Sequence, residues 1–205
     1  MNSEKGMFSR FTYKIIAFIL RICFRIVHPR IHVEGIENIP EGTAVLCANH
    51  SNLTDPLWIL AFARLDRLPR TMAKKELFDN FFMRWLMKKV GAFPVDREGT
   101  DITAIKTAMH TLKQGNKLLI FPEGTRVKKG MTSEAHSGAV LIAHRMKAPI
   151  VPIYLSTEKG LFKPIRLVFG APYSVDYGGQ KPSAEDLENS ASEMMNTIYT
   201  MGESS

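Results

Sequence analysis

The sequence is poor in cysteine, and this scarcity excludes several classes of protein. Its 205 residues contain two cysteines, Cys23 and Cys47, each in apolar surroundings. They form no CxxC pair, so we predict neither a disulfide framework nor a metal site, and lone thiols favour a reducing compartment. The chain also lacks internal repeats and low-complexity tracts. A chain of this length and composition indicates a single domain with a sizeable core.

Acidic residues are absent from residues 5–33, whereas basic residues are frequent there. This segment therefore supplies most of the net charge of +7. On a helix, four of its basic residues would share an arc of about 60°, and most of the remaining surface would be apolar. The segment lacks the roughly 20 apolar residues of a transmembrane helix, and no small-residue cleavage site of a secretory signal follows it. The basic residues are Lys5, Arg10, Lys14, Arg21, Arg25 and Arg30.

We interpret residues 1–30 as a basic amphipathic helical segment at a membrane interface, and residues 31–205 as the α/β domain. A purely basic polar face suits an anionic membrane surface. The expected location is the cytoplasmic face of the cell membrane, in a peripheral or monotopic arrangement. The alternative is a helix packed on the domain's own core. A pI near 9.5 would also suit a nucleic-acid-binding module, but we predict no such partner, because the basic residues lie on an apolar helix.

Residues 31–205 alternate between strand and helix patterns, which predicts an α/β fold with a mostly parallel mixed sheet flanked by helices. Asp55 before Pro56 predicts a helix capped by Asp55. Residues 74–90 predict one helix whose aromatic side chains pack mainly on the sheet. Prolines in residues 148–155 predict an edge strand or a partly irregular one.

A polar turn that carries His50 lies between a buried strand and this helix start. Open α/β sheets place their sites in such loops, outside the carboxyl ends of the strands. Asp55 can return to His50 across the turn, and a carboxylate on one imidazole nitrogen leaves the other nitrogen to take a proton. Because a nucleophile is missing, a hydroxyl of the substrate itself is the expected attacking group. The alternative is that Asp55 only caps the helix and His50 only occupies the turn.

Further charged residues follow other predicted strands, and together they favour binding of a phosphate. Arg97 follows one strand, and Glu123 and Arg126 follow another. Arginine suits bidentate contacts with phosphate, and Gly124 permits the backbone to approach a ligand closely. Lys74 and Lys75 are additional candidates. Taken singly, each charged residue is typical of a solvated surface.

Four blocks of the sequence resemble the glycerolipid acyltransferases, specifically the 1-acylglycerol-3-phosphate O-acyltransferases. The blocks are NHSNLTD at residues 49–55, GAFPVDR at 91–97, FPEGTR at 121–126 and APIVPI at 148–153. Residues 74–77, KKEL, also look like the family's lead-in to its second block. The resemblance spans about residues 30–170, and four blocks in family order are far more specific than one.

The resemblance implies a reaction and a role for each matching residue. His50 would be the general base that takes the proton from the free hydroxyl of a lysophosphatidate, with Asp55 orienting it and no acyl-enzyme. The co-substrate would be acyl-coenzyme A or acyl-carrier protein, and no other cofactor is implied. Pro152 belongs to a block implicated in the acyl donor site. The residues implied to bind the glycerol phosphate are Lys74, Lys75, Arg97, Glu123, Gly124, Thr125 and Arg126.

Two alternatives to this interpretation stay open from the sequence. One is an acyltransferase of the same family that acts on glycerol 3-phosphate or on another lysophospholipid. The other belongs to a different class, a catalytically inactive lipid-binding protein at the membrane. A separate alternative concerns the aromatic residues of 74–90, some of which would line an acyl-chain groove instead of packing on the sheet.

Overall fold

A computed structural model describes residues 10–96, 101–127 and 135–203, and a seven-stranded sheet runs through them. The strands are β1 (Ile31–Glu34), β2 (Val45–Ala48), β3 (Arg70–Lys74), β4 (Ala92–Val95), β5 (Leu118–Ile120), β6 (Ile150–Leu155) and β7 (Ile165–Phe169). The α-helices are α1 (Arg10–Val27), α2 (Asp55–Phe62), α3 (Phe81–Lys89), α4 (Ile102–Lys113), α5 (Gly138–Met146) and α6 (Ala184–Glu203).

The sheet is mixed and mostly parallel, as the sequence predicts. Its order is β1-β7-β6-β2-β5-β3-β4, and each neighbouring pair is parallel except β6 and β7. Helices α1 and α2 pack on one face, and α4, α5 and α6 pack on the other. Alternate residues of β2 face these two layers, so all four are buried, which explains its uninterrupted apolar sequence.

Helix α1 is joined to the domain by one of its faces. Tyr13 is buried, and its hydroxyl donates a hydrogen bond to the Leu60 carbonyl at 3.0 Å. The ring of Phe24 stacks on Trp58 with centroids 3.9 Å apart. Arg21, expected in the basic stripe, donates from Nη2 to the Ala61 carbonyl at 2.7 Å. The alternative of packing on the domain's own core is therefore correct for this face.

The opposite face of α1 is apolar and exposed. Its large side chains are between 42% and 74% exposed. They are Phe11, Ile15, Phe18, Ile19, Ile22 and Ile26. We call these six residues the outer face of α1. None of the helices in the described ranges has the length and apolar content needed to cross a bilayer.

The expectation of one helix over residues 74–90 is wrong. A 3-10 helix, Lys75–Phe78, comes first, and α3 then begins after Asn80. A new helix starts there because the Asn80 side chain caps it, accepting hydrogen bonds from the N–H groups of Phe82 and Met83 at 2.9 and 3.2 Å. The aromatic residues of α3 also do not pack on the sheet, since Phe81, Phe82 and Trp85 are 84%, 64% and 49% exposed.

The expectation that the proline-containing strand lies at an edge is also wrong, because β6 lies between β2 and β7. Proline is tolerated at position 152 for a local reason. The Pro152 carbonyl accepts from the Gly170 N–H at 2.8 Å, so the side of Pro152 that lacks a donor faces residue 170, where β7 has ended. A missing N–H therefore leaves no ladder acceptor of β7 unpaired.

The sequence also predicts Thr100 as the cap of a helix to about residue 114 and Ser133 as the cap of a helix over residues 134–146. It predicts Ser183 as the cap of the last helix. The first two helix starts differ from these predictions by a few residues. Helix α4 is capped by Asp101, whose side chain accepts from the Ala104 N–H at 2.9 Å, while the expected cap Thr100 lies outside the described residues. Helix α5 begins at Gly138 and not at residue 134, and the expected cap Ser133 also lies outside the described residues. The cap of α6 is confirmed, since Ser183 Oγ accepts from the Asp186 N–H at 3.1 Å.

Truncation of Phe24 tests whether α1 is part of the folded domain. We expect Phe24→Ala to lower the free energy of unfolding by about 2–3 kcal/mol, because it removes a half-buried ring stacked on Trp58. The matched control is Phe18→Ala on the outer face of α1, which we expect to stay within about 0.5 kcal/mol of the wild type. Urea unfolding followed by tryptophan fluorescence measures both. Equal effects of the two variants would contradict this packing.

Candidate active site

The carboxyl ends of three neighbouring strands form the candidate active site. His50 follows β2, Glu123 follows β5 and Lys159 follows β6, and these strands are adjacent and parallel. Their carboxyl ends therefore lie along one edge of the sheet, where open α/β sheets bind ligands. Buried Asn49 ties two of the ends together, since its side chain exchanges hydrogen bonds with the Leu155 backbone at 2.8 and 2.9 Å.

His50 and Asp55 form a hydrogen-bonded pair, as the spacing predicts. The Asp55 carboxylate is fully buried, and its Oδ2 atom lies 2.9 Å from His50 Nδ1. The same oxygen accepts from the N–H groups of Ser51 and Asn52 at 2.6 and 2.7 Å. An ionised carboxylate at Nδ1 requires that this nitrogen carry the hydrogen, so Nε2 is the ring nitrogen with a free lone pair.

The predicted capping role of Asp55 is wrong. Asp55 is itself the first residue of α2, and Thr54 occupies the cap position without a side-chain hydrogen bond. The carboxylate cannot reach forward to the helix because it folds back onto the preceding turn and onto His50. The alternative in which Asp55 serves only as a helix cap is thereby excluded.

The electrostatic environment keeps Asp55 ionised. Burial alone would raise the pKa of its carboxyl group, but the hydrogen bond from His50 and the ammonium group of Lys159 outweigh it. The pKa of Asp55 therefore lies below its ordinary value. Lys159 Nζ lies 2.8 Å from Asp55 Oδ1, on the side of the carboxylate away from His50.

Glu123 holds the backbone of His50. Its Oε2 atom accepts from the His50 N–H at 2.7 Å, and its Oε1 atom accepts from the hydroxyl of Tyr199 on α6. Burial raises the pKa of Glu123 above its ordinary value, against the opposing effect of these hydrogen bonds. The ring of Phe121 stacks on the His50 ring, with centroids 4.3 Å apart. The FPEGTR block thus encloses the histidine, while the predicted contact of Glu123 with substrate stays a prediction.

The predicted phosphate-binding residues take different positions. Thr125 and Arg126 are exposed beside the site. Lys74 ends β3 and pairs with Glu76 at 3.4 Å, while Lys75 pairs with Asp96. Arg97 lies outside the described residues. Strand β3 is the neighbour of β5, so these lysines belong to the same edge of the sheet as Arg126.

Gly124 and Pro152 lie in packed surroundings. Gly124 adopts a positive φ of 63°, and a Cβ atom there would collide with the ring of His136. The group that approaches this glycine in the structure is therefore a side chain of the protein. Pro152 is buried in β6 beside Cys47 of β2 and against Gly170. Its predicted role toward the acyl donor stays a prediction.

An apolar cavity of about 330 Å³ begins at Phe121, whose ring stacks on His50. It extends from Phe121 between α4 and α5, and Ile105 and Leu141 from these helices line it. Its volume and apolar lining suit a hydrocarbon chain. Among the described residues, no group of three His, Cys, Asp or Glu side chains is arranged to hold a metal ion.

Sequence reasoning missed three residues of this site: Asn49, Lys159 and Tyr199. Asn49 stands directly before His50, and the position of an asparagine at a strand end is a usable signal for it. Lysine in a loop is typical of a solvated surface, and a tyrosine on an amphipathic helix is typical of a core, so the sequence carries no signal for the other two. They reach the site only through the packing of α6 and of the loop after β6.

Comparisons with known proteins agree with this geometry. A family model described as Acyltransferase matches residues 30–156. The chain is 36% identical to a 1-acyl-sn-glycerol-3-phosphate acyltransferase of Bacillus subtilis, over 85% of this chain and 89% of the relative. It is 32% identical to one of Streptococcus pneumoniae, over 84% of this chain and 66% of the relative.

A solved structure shares the fold. The 1-acyl-sn-glycerophosphate (LPA) acyltransferase PlsC from Thermotoga maritima is 25% identical, with a TM-score of 0.70 over 94% of this chain and 80% of that one. The family model covers more than half of the chain, and the Bacillus relative aligns over most of both sequences. The protein therefore belongs to the acyltransferase family that the 1-acyl-sn-glycerol-3-phosphate acyltransferases share.

Proposed function

We propose that this acyltransferase moves an acyl group from an acyl thioester to the free sn-2 hydroxyl of 1-acylglycerol 3-phosphate, giving phosphatidate for phospholipid biosynthesis. The observation that carries the proposal is the hydrogen-bonded His50–Asp55 pair, whose imidazole stacks on Phe121 at the end of the apolar cavity. In the described residues, the His50 ring has no hydrogen bond to a serine, threonine or cysteine side chain. The neighbouring Ser51 hydroxyl accepts a hydrogen bond from Lys159. The names of the relatives support the choice of acceptor.

The proposed reaction is direct transfer with His50 as general base. Nε2 of His50 takes the proton of the acceptor hydroxyl while its oxygen attacks the thioester carbonyl carbon. The carbon–oxygen bond forms, the tetrahedral intermediate collapses, and the carbon–sulfur bond breaks. The imidazolium then gives its proton to the departing thiolate. Asp55 stabilises the imidazolium throughout, because its carboxylate already accepts from Nδ1.

The substrates of the proposed reaction would occupy adjacent parts of the site. An acyl chain suits the apolar cavity that starts at Phe121. The phosphate of the acceptor suits Arg126, whose guanidinium group offers a bidentate contact, with Lys74 nearby on the same edge of the sheet. The donor is acyl-coenzyme A or acyl-carrier protein, since both present the acyl group as a thioester.

We also propose that the protein works at the cytoplasmic face of the cell membrane as a peripheral or monotopic protein. The outer face of α1 supports this, because six large apolar side chains are exposed next to a basic stripe. The structure adds Leu161 and Phe162, which are 74% and 63% exposed. Their loop joins the end of α1, where the Phe162 N–H donates to the Val27 carbonyl at 3.2 Å. Together these residues would enter the headgroup region of an anionic membrane.

Replacing the proposed base tests the mechanism. We expect His50→Ala to lower kcat by about 10²–10⁴-fold, because general-base catalysis is worth that much. His110→Ala, an exposed histidine of α4, is the matched control and should keep the wild-type rate. The assay offers labelled lysophosphatidate, glycerol 3-phosphate and lysophosphatidylcholine in parallel, with acyl-coenzyme A and acyl-carrier protein thioesters.

The acceptor profile of this assay decides between related functions. Product from lysophosphatidate alone, lost in His50→Ala, is the expected result. Product from another acceptor would change the assigned acceptor substrate but support the same acyl-transfer reaction. Absence of product from every acceptor, with the fold intact, would favour the lipid-binding alternative. A near-native rate of His50→Ala would refute the general-base role.

Arg126 tests the proposed phosphate contact. Loss of a charge-assisted hydrogen bond to phosphate should raise the KM for lysophosphatidate by about 10–100-fold in Arg126→Ala, with a smaller effect on kcat. Arg145→Ala, at an exposed position near the end of α5, is the control. Initial rates at varied acceptor and varied donor measure both constants. A rise confined to the donor KM would assign Arg126 to the other substrate.

Polar substitutions on the outer face of α1 test the membrane proposal. The double variant Ile22→Asn, Ile26→Asn should lose flotation with phosphatidylglycerol-containing vesicles, because it removes apolar area from the contact. Ile102→Asn changes an equally exposed isoleucine on α4 and should float like the wild type. Unchanged flotation of the double variant would contradict the role of this face.

A further inference from the structure

Lys159 is a buried cation for which the proposed chemistry has no assigned use. Its side chain is 4% exposed, and its Nζ atom lies 2.8 Å from Asp55 Oδ1 and 2.9 Å from Ser51 Oγ. Lysine is almost never buried unless it is paired. A buried ion pair is also weak evidence of a stabilising role, because desolvation offsets the attraction between the charges. The position of this lysine, in direct contact with the partner of the proposed base, therefore suggests a role in catalysis.

The loop that carries Lys159 is fixed to the domain. It joins β6 to β7, and the Ser156 N–H donates to the Arg166 carbonyl at 3.0 Å at its start. Near its end, the ring Nδ1 of His28 lies 3.1 Å from the Lys163 carbonyl oxygen. These contacts hold the backbone on both sides of Lys159, so the ammonium group is presented to Asp55 from a defined direction.

We infer that Lys159 is a positioning residue of the acyl-transfer reaction, which acts on His50 through Asp55. This inference rests on the proposed general-base role of His50. With Lys159 on Oδ1, the Asp55 carboxylate is held in the orientation that presents Oδ2 to His50 Nδ1. The ammonium group also balances the negative charge of the buried Asp55 carboxylate.

Titratable groups from several elements surround His50 and Asp55. Asp55 faces His50 directly, Lys159 faces Asp55 from the loop after β6, and Glu123 faces the His50 backbone from the loop after β5. Tyr199 faces Glu123 from α6. Of these groups, Lys159 supplies the positive charge that lies against Asp55. Its removal would leave the buried Asp55 charge without an ammonium partner and would free the carboxylate to turn away from His50 Nδ1.

The test compares Lys159→Met with Lys159→Arg, using the full chain, lysophosphatidate and the donor that the wild type accepts. We expect Lys159→Met to lower kcat by about 10–100-fold with little change in either KM, since no substrate contact is lost. Lys159→Arg should recover much of the rate, because the guanidinium group keeps a positive charge and hydrogen-bond donors beside Asp55. Lys163→Met, in the same loop but paired with exposed Glu158, is the control.

Two further measurements keep the inference falsifiable if Lys159→Met folds poorly or if the substrate is misassigned. In an Asp55→Asn background, Lys159→Met should lower kcat no further, because the lysine acts through that carboxylate. NMR with ¹⁵N-labelled histidine, without any substrate, should show changed Nδ1 and Nε2 chemical shifts of His50 in Lys159→Met, because the hydrogen bond from Nδ1 to Asp55 loses its fixed geometry.

The outcomes separate the two claims. Full activity and unchanged ¹⁵N chemical shifts of the His50 ring in Lys159→Met would overturn the positioning role while leaving the proposed function intact. Equal loss from Lys159→Met in the wild-type and Asp55→Asn backgrounds would also overturn it. No acyl transfer by the wild type on any acceptor would overturn the proposed function, and the positioning role with it. Changed His50 chemical shifts together with a kcat loss rescued by arginine support the inference.

Discussion

The buried carboxylate of Asp55 is the constraint on which the site depends. An ionised group with no exposed surface is tolerated only when hydrogen bonds and an opposite charge replace its water. Two backbone N–H groups, one imidazole and one ammonium group do this here. They fix the turn after β2, the start of α2 and the loop after β6 relative to one another. The geometry of the proposed base is thus a consequence of satisfying one charge.

The strand order makes this arrangement possible. Strand β2 lies between β5 and β6 in parallel orientation, so the three loops that hold His50, Glu123 and Lys159 emerge side by side. Asn49 links the ends of β2 and β6, and Tyr199 brings α6 to the same place through Glu123. Residues separated by more than a hundred positions therefore act on one imidazole. A helix far along the chain supports the site without entering it.

Helix α1 has two apolar faces with different surroundings. One face is part of the core, through Tyr13 and Phe24 on α2, and the other presents large apolar side chains to the surroundings. The sequence interpretation treated core packing and membrane contact as alternatives. A helix with two apolar faces separated by a basic stripe can pack on the core with one face and leave the other face available for membrane contact. The loop of Phe162 continues the exposed surface from the end of α1.

The sequence by itself determined the alternation of strands and helices, the mostly parallel sheet and the pairing of His50 with Asp55, because hydrophobic periodicity and short-range spacing encode them. It could not determine that β6 is internal despite Pro152, since this depends on where the neighbouring strand ends. It could not separate exposed from packed aromatic residues around Phe82, because periodicity does not show whether a partner covers a face. Only the tertiary structure brought Lys159 and Tyr199 to the site, because long-range contacts through side chains leave no local pattern in the chain.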